Sequence, residues 1–169
     1  MSETRERDRV ANLAKTDSRA ALTAARKIKD PWFRAQALSW VARFSGSNSV
    51  EIAKEASEVA AECDDVYKQS AVRSWAIAAL AERGFALEAR KVLKTSLANA
   101  RNAEPASSRG EALLLILQSA AKISLDDARA AFEALRSSVG AETHWRCKRA
   151  LRDGREIAEG RQQSRQFFW

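Results

Sequence analysis

A seven-residue motif that recurs four times constrains the fold of this 169-residue chain more than any other feature. Each copy leads through aromatic, basic or polar residues into a small–large apolar pair. The anchor alanines of the four copies are separated by 34, 41 and 38 residues. A period in this range is typical of stacked helical hairpins, because one hairpin alone cannot bury its apolar face. The anchor alanines are Ala37, Ala71, Ala112 and Ala150.

Composition favours helices between the turn signals. The chain is rich in alanine, which loses no rotamer freedom on entering a helix, and has only 6 glycines and 2 prolines. Asp30-Pro31 and Glu104-Pro105 each resemble an N-cap followed by proline at the first helical position. We therefore predict an all-α fold of about nine helices. They begin near residues 3, 18, 31, 49, 64, 86, 105, 125 and 142.

The helices that alternate with the motif carry a second pattern of small and large apolar residues on one face. Between two such helices, Gly84 falls at a turn, with Ala89 at a small position and Leu93 at a large one. These residues, and the run from Asp30 to Leu38, resemble degenerate bacterial tetratricopeptide-like repeats. The resemblance implies a right-handed superhelix of about four hairpins and a closing helix, with the motif helices lining a concave wall. A HEAT-like array is the alternative.

The residues that carry catalytic and metal chemistry are scarce. The chain has one histidine, His144, and two cysteines, Cys63 and Cys147. A structural zinc usually takes four ligands, and these three residues are too few. The glycines are isolated, so no glycine-rich phosphate loop is present. We therefore expect a protein that is not an enzyme and that needs no metal or cofactor.

The ends of the chain bear on localisation and domain organisation. Residues 1–9 are too charged for a signal peptide, and the longest apolar stretch is far below the roughly 20 residues that cross a bilayer. Only two cysteines suggest a reducing compartment, so we expect a cytoplasmic protein without a membrane partner. We predict one repeat domain over residues 1–160 and an aromatic tail over 161–169. The tail could pack on the array, enter another protein's groove or support a homo-oligomer.

Two groups of residues are candidates for binding a protein or peptide. The first comprises polar and aromatic members of the predicted concave wall. The second comprises the aromatic–basic pairs that open the first and fourth copies, since an exposed tryptophan beside an arginine is a common hot spot. The wall candidates are Gln36, Trp40, Arg43, Arg73 and Glu111, and the pairs are Trp32 with Arg34 and Trp145 with Arg146.

A basic strip on the last helix gives a second function hypothesis. The chain has 29 lysines and arginines against 22 acidic residues, a net charge of +7. Positive side chains on one side of a helix can bind phosphate groups, and a neighbouring tryptophan can stack on a base. Nucleic-acid binding is therefore the alternative to a protein partner. The strip contains Arg146, Lys148, Arg149, Arg152 and Arg155.

Overall fold

The computed structural model describes residues 2–161 and 168, and all regular structure in this part of the chain is helical. The prediction of an all-α fold is confirmed. A short 3₁₀ turn, Gly46–Asn48, joins two of the helices. The α-helices are α1 (Glu3–Ala14), α2 (Ser18–Ala25), α3 (Pro31–Phe44), α4 (Ser49–Ala60), α5 (Val66–Ala71), α6 (Arg73–Glu82), α7 (Ala86–Ala100), α8 (Ala106–Ala121), α9 (Leu125–Val139) and α10 (Trp145–Ala158).

Most predicted helix starts coincide with a capping side chain. The Asp30 carboxylate accepts a hydrogen bond of 2.8 Å from the backbone N–H of Trp32, and Pro31 takes the first helical position of α3. Asp65 caps α5 in the same way, through the N–H of Lys68. These bonds satisfy backbone donors that have no partner inside the helix, so the local sequence sets where each helix begins.

Two predicted helix starts are wrong in detail. Asn48 precedes α4, but its side chain makes no capping hydrogen bond, so the predicted capping box is not formed. Pro105 is the N-cap of α8 rather than its first helical residue, so Glu104-Pro105 does not repeat the arrangement of Asp30-Pro31. The single helix predicted from residue 64 also consists of two segments, α5 and α6, which meet at Val72.

The helices pack in two sets. Helices α1, α3, α5–α6, α8 and α10 form one row, in which each member contacts the next; we call it the motif row, because all of its members except α1 carry the motif. Each of α2, α4, α7 and α9 packs against two consecutive members of that row. Successive hairpins therefore share apolar surface instead of burying it separately.

The small–large pairs of the first three copies lie in the core, whereas in the fourth copy Leu151 is only partly buried. All four anchor alanines are fully buried, and so are the large residues Leu38 and Leu113. The second pattern is buried as well, with Ala89 inaccessible and Leu93 6% exposed. One hydrophobic cluster extends from Val10 to Ala158. Among the described helices, none is both long and apolar enough to cross a membrane.

Candidate binding face

Aromatic side chains from α3, α5 and α6 meet on the motif row. The ring of Trp32 stacks on Tyr67 at a centroid distance of 6.3 Å and meets the edge of Trp75 at 5.9 Å. Phe168, the described aromatic residue of the tail, lies edge-on to Trp75, with centroids 5.5 Å apart. Such edge and offset contacts are favoured by the ring quadrupoles. Residues far apart in sequence therefore form one aromatic cluster, and a side chain from the tail is part of it.

A second aromatic group lies further along α3. Trp40 and Phe44 are stacked at 6.4 Å, and the Arg43 guanidinium lies 4.7 Å from the Trp40 centroid. Arg43 also forms two hydrogen bonds with Glu82 at the end of α6, of 2.6 and 3.1 Å. The ammonium of Lys15 lies 5.7 Å from the Trp40 ring on the side of α1. Cation–π contacts and an ion pair therefore hold neighbouring members of the motif row together.

Charged residues connect the first cluster to α8 and α10. Burial raises the pKa of the Tyr67 hydroxyl, and the negative charge of Glu111 on α8 raises it further. Arg149 of α10 donates a hydrogen bond to Glu111. Trp145, at the start of α10, is 59% exposed and has the guanidinium of Arg149 5.4 Å from its ring.

Together these contacts cross the motif row from α3 to α10. We call this surface the aromatic band; its residues are Trp32, Trp40, Arg43, Phe44, Tyr67, Trp75, Glu82, Glu111, Trp145, Arg146 and Arg149.

Seven of the residues predicted from sequence fall within the aromatic band. They come from the concave wall, the aromatic–basic pairs and the basic strip, and Arg146 belongs to both of the last two groups. The structure therefore places three of the five wall candidates and both opening tryptophans in this network of contacts along the motif row, without showing what these residues bind. The seven are Trp32, Trp40, Arg43, Glu111, Trp145, Arg146 and Arg149.

The other candidates lie elsewhere. Gln36 is 1% exposed, and its amide oxygen accepts a hydrogen bond of 2.7 Å from Arg7, so it braces α1 against α3 from inside. Arg34 donates to the carbonyl of Ile28 and pairs with Glu62, which ties α3 to the ends of α2 and α4.

The remaining arginines and the lysine of the prediction are found in two places. Arg73 is 8% exposed and faces α4 and α7. The rest of the predicted basic strip is exposed on α10: Lys148, Arg152 and Arg155.

Trp32 and Trp145 are not structurally equivalent, although both stand five residues before an anchor alanine. Trp32 is the second residue of its helix, and Trp145 is the first residue of α10. The residue that matches Trp32 in position is Tyr67, the second residue of α5. Sequence reasoning missed Tyr67 as a site residue, although counting from the two N-cap aspartates, Asp30 and Asp65, would have aligned the two rings.

The aromatic residues on apolar helical stripes of the sequence divide between core and surface. Trp75 is 7% exposed and Phe132 is 9% exposed, so both lie in the core. Phe44 is 39% exposed; it lies at the end of α3, stacked on Trp40. The predicted tail, apart from Arg161 and Phe168, lies outside the described residues.

Both cysteines are buried thiols. Burial, together with the nearby charge of Asp30, raises the pKa of Cys63 to about 11. Burial also raises the pKa of Cys147, next to the charge of Glu142. In the described part of the chain, no three histidine, cysteine or acidic side chains are grouped as metal ligands.

Comparison with protein-family models, with curated proteins and with solved structures gives no match for this chain.

Proposed function

We propose that the protein is a non-enzymatic scaffold of helical-repeat type, and that the aromatic band binds a protein or peptide segment containing aromatic residues. The hairpins would continue as a right-handed tetratricopeptide-like superhelix, with the motif row as its concave wall. Each of α2, α4, α7 and α9 packs against two consecutive members of the motif row, which is compatible with this arrangement.

The contact between Phe168 and Trp75 is the main support for this proposal. The Phe168 ring lies at 89° to the Trp75 ring, and Trp75 also contacts Trp32. The surface therefore accepts an aromatic side chain that does not belong to the helical array. Large aromatic residues in such clusters supply most of the binding energy at typical interfaces.

A labelled peptide with the sequence of residues 162–169 tests the proposal. Fluorescence anisotropy would measure its binding to the full chain and to the Phe168→Ala variant, which removes the internal competitor. We expect saturable binding that is tighter to Phe168→Ala, and a loss of about tenfold when Tyr67→Ala is added. Leu87→Ala, which removes an exposed apolar side chain of α7 outside the band, serves as the control. Absence of binding to either chain, or equal binding by the Tyr67→Ala variant, contradicts the proposal.

Nucleic-acid binding by α10 is the second candidate, and it rests on Trp145. The guanidinium groups of Arg146 and Arg149 each lie 5.4 Å from the centroid of this exposed ring. An exposed ring among cations is suited to stack on a base of a single strand while the arginines contact phosphates. Arg149 also pairs with Glu111, and Arg152 with Asp153, so these ion pairs would compete with phosphate contacts.

A gel-shift titration with a single-stranded oligonucleotide at low and at physiological salt tests this second candidate. Because phosphate contacts release counterions, affinity should fall by roughly 0.7 log units per log unit of salt for each phosphate neutralised. Trp145→Ala should weaken binding without changing the salt dependence, whereas Lys148→Gln should reduce the dependence. Salt-independent binding, or none, removes nucleic acid from consideration.

A further inference from the structure

A cleft lies between α7 and the junction of α5 with α6, and none of its described lining residues belongs to the aromatic band. It has a volume of about 630 Å³ and is open to solvent. Its size is within the range of small-molecule sites, about 300–1,000 Å³. The lining residues are Gln69, Arg73, Lys94, Thr95, Ala98, Asn99 and Asn102.

Arg73 is a buried cation without a carboxylate partner in the described part of the chain. Its Nε donates to the carbonyl oxygen of Ser57 at 3.2 Å, and its Nη1 donates to that of Gln69 at 2.9 Å. Carbonyl oxygens satisfy hydrogen bonds but do not neutralise a full charge. Burial accordingly lowers the pKa of the guanidinium; Cys63 opposes this effect, and no carboxylate contributes to it.

Other largely buried arginines of the chain form ion pairs with acidic residues. The side chains of Arg34, Arg43 and Arg109 are each less than a fifth exposed, and each pairs with at least one glutamate. Burial of an uncompensated charge is costly, which explains why these arginines have partners. Arg73 is also buried, at 8% exposed, but no described glutamate pairs with it. An external anion would supply the negative charge that the protein does not provide.

The donors around Arg73 suit an anion with several oxygens. The bonds to carbonyls use the Nε–H and one Nη1–H of the five guanidinium N–H groups. Lys94 adds a second positive charge, and the side-chain amide of Asn99 makes no hydrogen bond to the described residues. No acidic residue lines the cleft. These donors exceed what the two oxygens of one carboxylate need, whereas a phosphate group offers three oxygens and nearly two charges.

We propose that this cleft binds the phosphate group of a small phosphorylated molecule, held by Arg73, Lys94 and Asn99. None of the described lining residues is aromatic, so these residues offer a nucleobase no stacking partner. A phosphorylated sugar or polyol fits better, because Thr95 and Asn102 supply polar atoms beside the phosphate position. The site is independent of the aromatic band and of any partner bound there.

An NMR titration of the full chain with glucose 6-phosphate tests this proposal, with glucose and citrate as parallel probes at constant ionic strength. We expect saturable shifts of the Arg73 Nε–H and the Asn99 side-chain amide with glucose 6-phosphate, none with glucose, and weaker binding of citrate. Lys94→Gln should weaken the glucose 6-phosphate affinity about tenfold, since it removes a charge-assisted hydrogen bond. Lys94 is exposed, so this change does not threaten folding.

Lys91→Gln is the matched control, because it removes the same charge from α7 outside the cleft. The affinity of the Lys91→Gln variant for glucose 6-phosphate should stay within twofold of that of the unmodified chain. Three results overturn the proposal: no saturable shift at millimolar glucose 6-phosphate, tighter binding of citrate than of glucose 6-phosphate, or equal losses from Lys94→Gln and Lys91→Gln.

Discussion

Helices α3 and α10 carry the first and last copies of the motif, and they place its tryptophan differently. Trp32 follows the first residue of α3 and stacks on Tyr67, whereas Trp145 is itself the first residue of α10 and is 59% exposed. One residue along a helix turns a side chain by about 100°. Position relative to the helix start, rather than distance from the anchor alanine, therefore decides which tryptophan packs.

The surroundings of the two helices differ as well. Helix α3 has α1 on one side of it in the motif row and α6 on the other, whereas the described contacts of α10 are with α8 and α9. Trp32 packs against residues of the next motif-row helices, whereas the described ring contacts of Trp145 are with Arg146, Arg149 and His144. The first copy contributes to the core, and the last copy presents its aromatic residue to solvent.

Truncating the two tryptophans gives the largest expected contrast. Trp32→Ala removes contacts with Tyr67 and Trp75 and should lower the free energy of unfolding by about 2–4 kcal/mol. Trp145→Ala removes an exposed ring and should cost less than about 0.5 kcal/mol. Urea denaturation followed by circular dichroism measures both. Equal losses of unfolding free energy in the two variants would show that the position relative to the helix start does not decide which tryptophan packs.

Two glycines at the packing of α10 give a smaller contrast. A Cβ added at Gly154 would lie 2.8 Å from Cδ2 of Leu135 and 3.2 Å from Cδ2 of Phe132. A Cβ at Gly110 of α8 would meet its nearest neighbour, Cys147, at an ordinary 3.7 Å. We expect Gly154→Ala to destabilise the protein by about 1–2 kcal/mol through overpacking.

Gly110→Ala is the control for that change, since both substitutions add one methyl group inside a helix. It should be neutral or stabilise by up to about 1 kcal/mol, because alanine favours the helix and space is available. Thermal unfolding of the two variants side by side distinguishes these effects. A stabilised Gly154→Ala variant would mean that α10 is not closely packed against α9.

The features that could be predicted from the sequence are local ones. Asp30 and Asp65 cap helices because the donors they satisfy are two or three residues away. The burial of Ala37 and Ala112 follows from the spacing of apolar residues on one helix face, together with the repeat. Such signals fix helix starts and core positions before any tertiary contact is known.

The features that could not be predicted depend on contacts between distant residues. Nothing near Arg73 in sequence shows that it bonds the carbonyl of Ser57, 16 residues earlier, and lines a cleft with α7. Counting from the anchor alanine also placed Trp145 in the position of Trp32. The length of the turn before each motif helix varies, and this turn determines where the first residues of the motif lie. The regular spacing of the core residues therefore does not predict the positions of these first residues.

The two cysteines allow a comparison through pH. Cys63 is held protonated in the folded state up to about pH 11, while the thiol of the unfolded chain ionises near its ordinary value. Between these values the unfolded state releases a proton that the folded state retains, so stability should fall as pH rises. Cys63→Ala should make this decline shallower, as judged by urea midpoints measured across the alkaline range.

Cys147→Ala provides the counterpart at α10, where burial and the charge of Glu142 also raise the thiol pKa. Its effect on the alkaline decline should have the same sign as that of Cys63→Ala. An unchanged pH dependence in the Cys63→Ala variant would contradict the burial of this thiol. Each variant is compared with the unmodified chain at the same pH, so that the difference reports on the one thiol.

The ion pairs at the two ends of the aromatic band should show the smallest difference. Arg43 binds Glu82 through two hydrogen bonds with its side chain 17% exposed, whereas Arg149 donates one hydrogen bond to Glu111 with its side chain 40% exposed. Two parallel hydrogen bonds couple more strongly than one. Double-mutant cycles to alanine should therefore give a coupling energy of about 0.5–1 kcal/mol for Arg43–Glu82 and less than about 0.5 kcal/mol for Arg149–Glu111. A stronger coupling at α10 than at α3 would reverse the comparison and make the last helix the more tightly fixed end of the band.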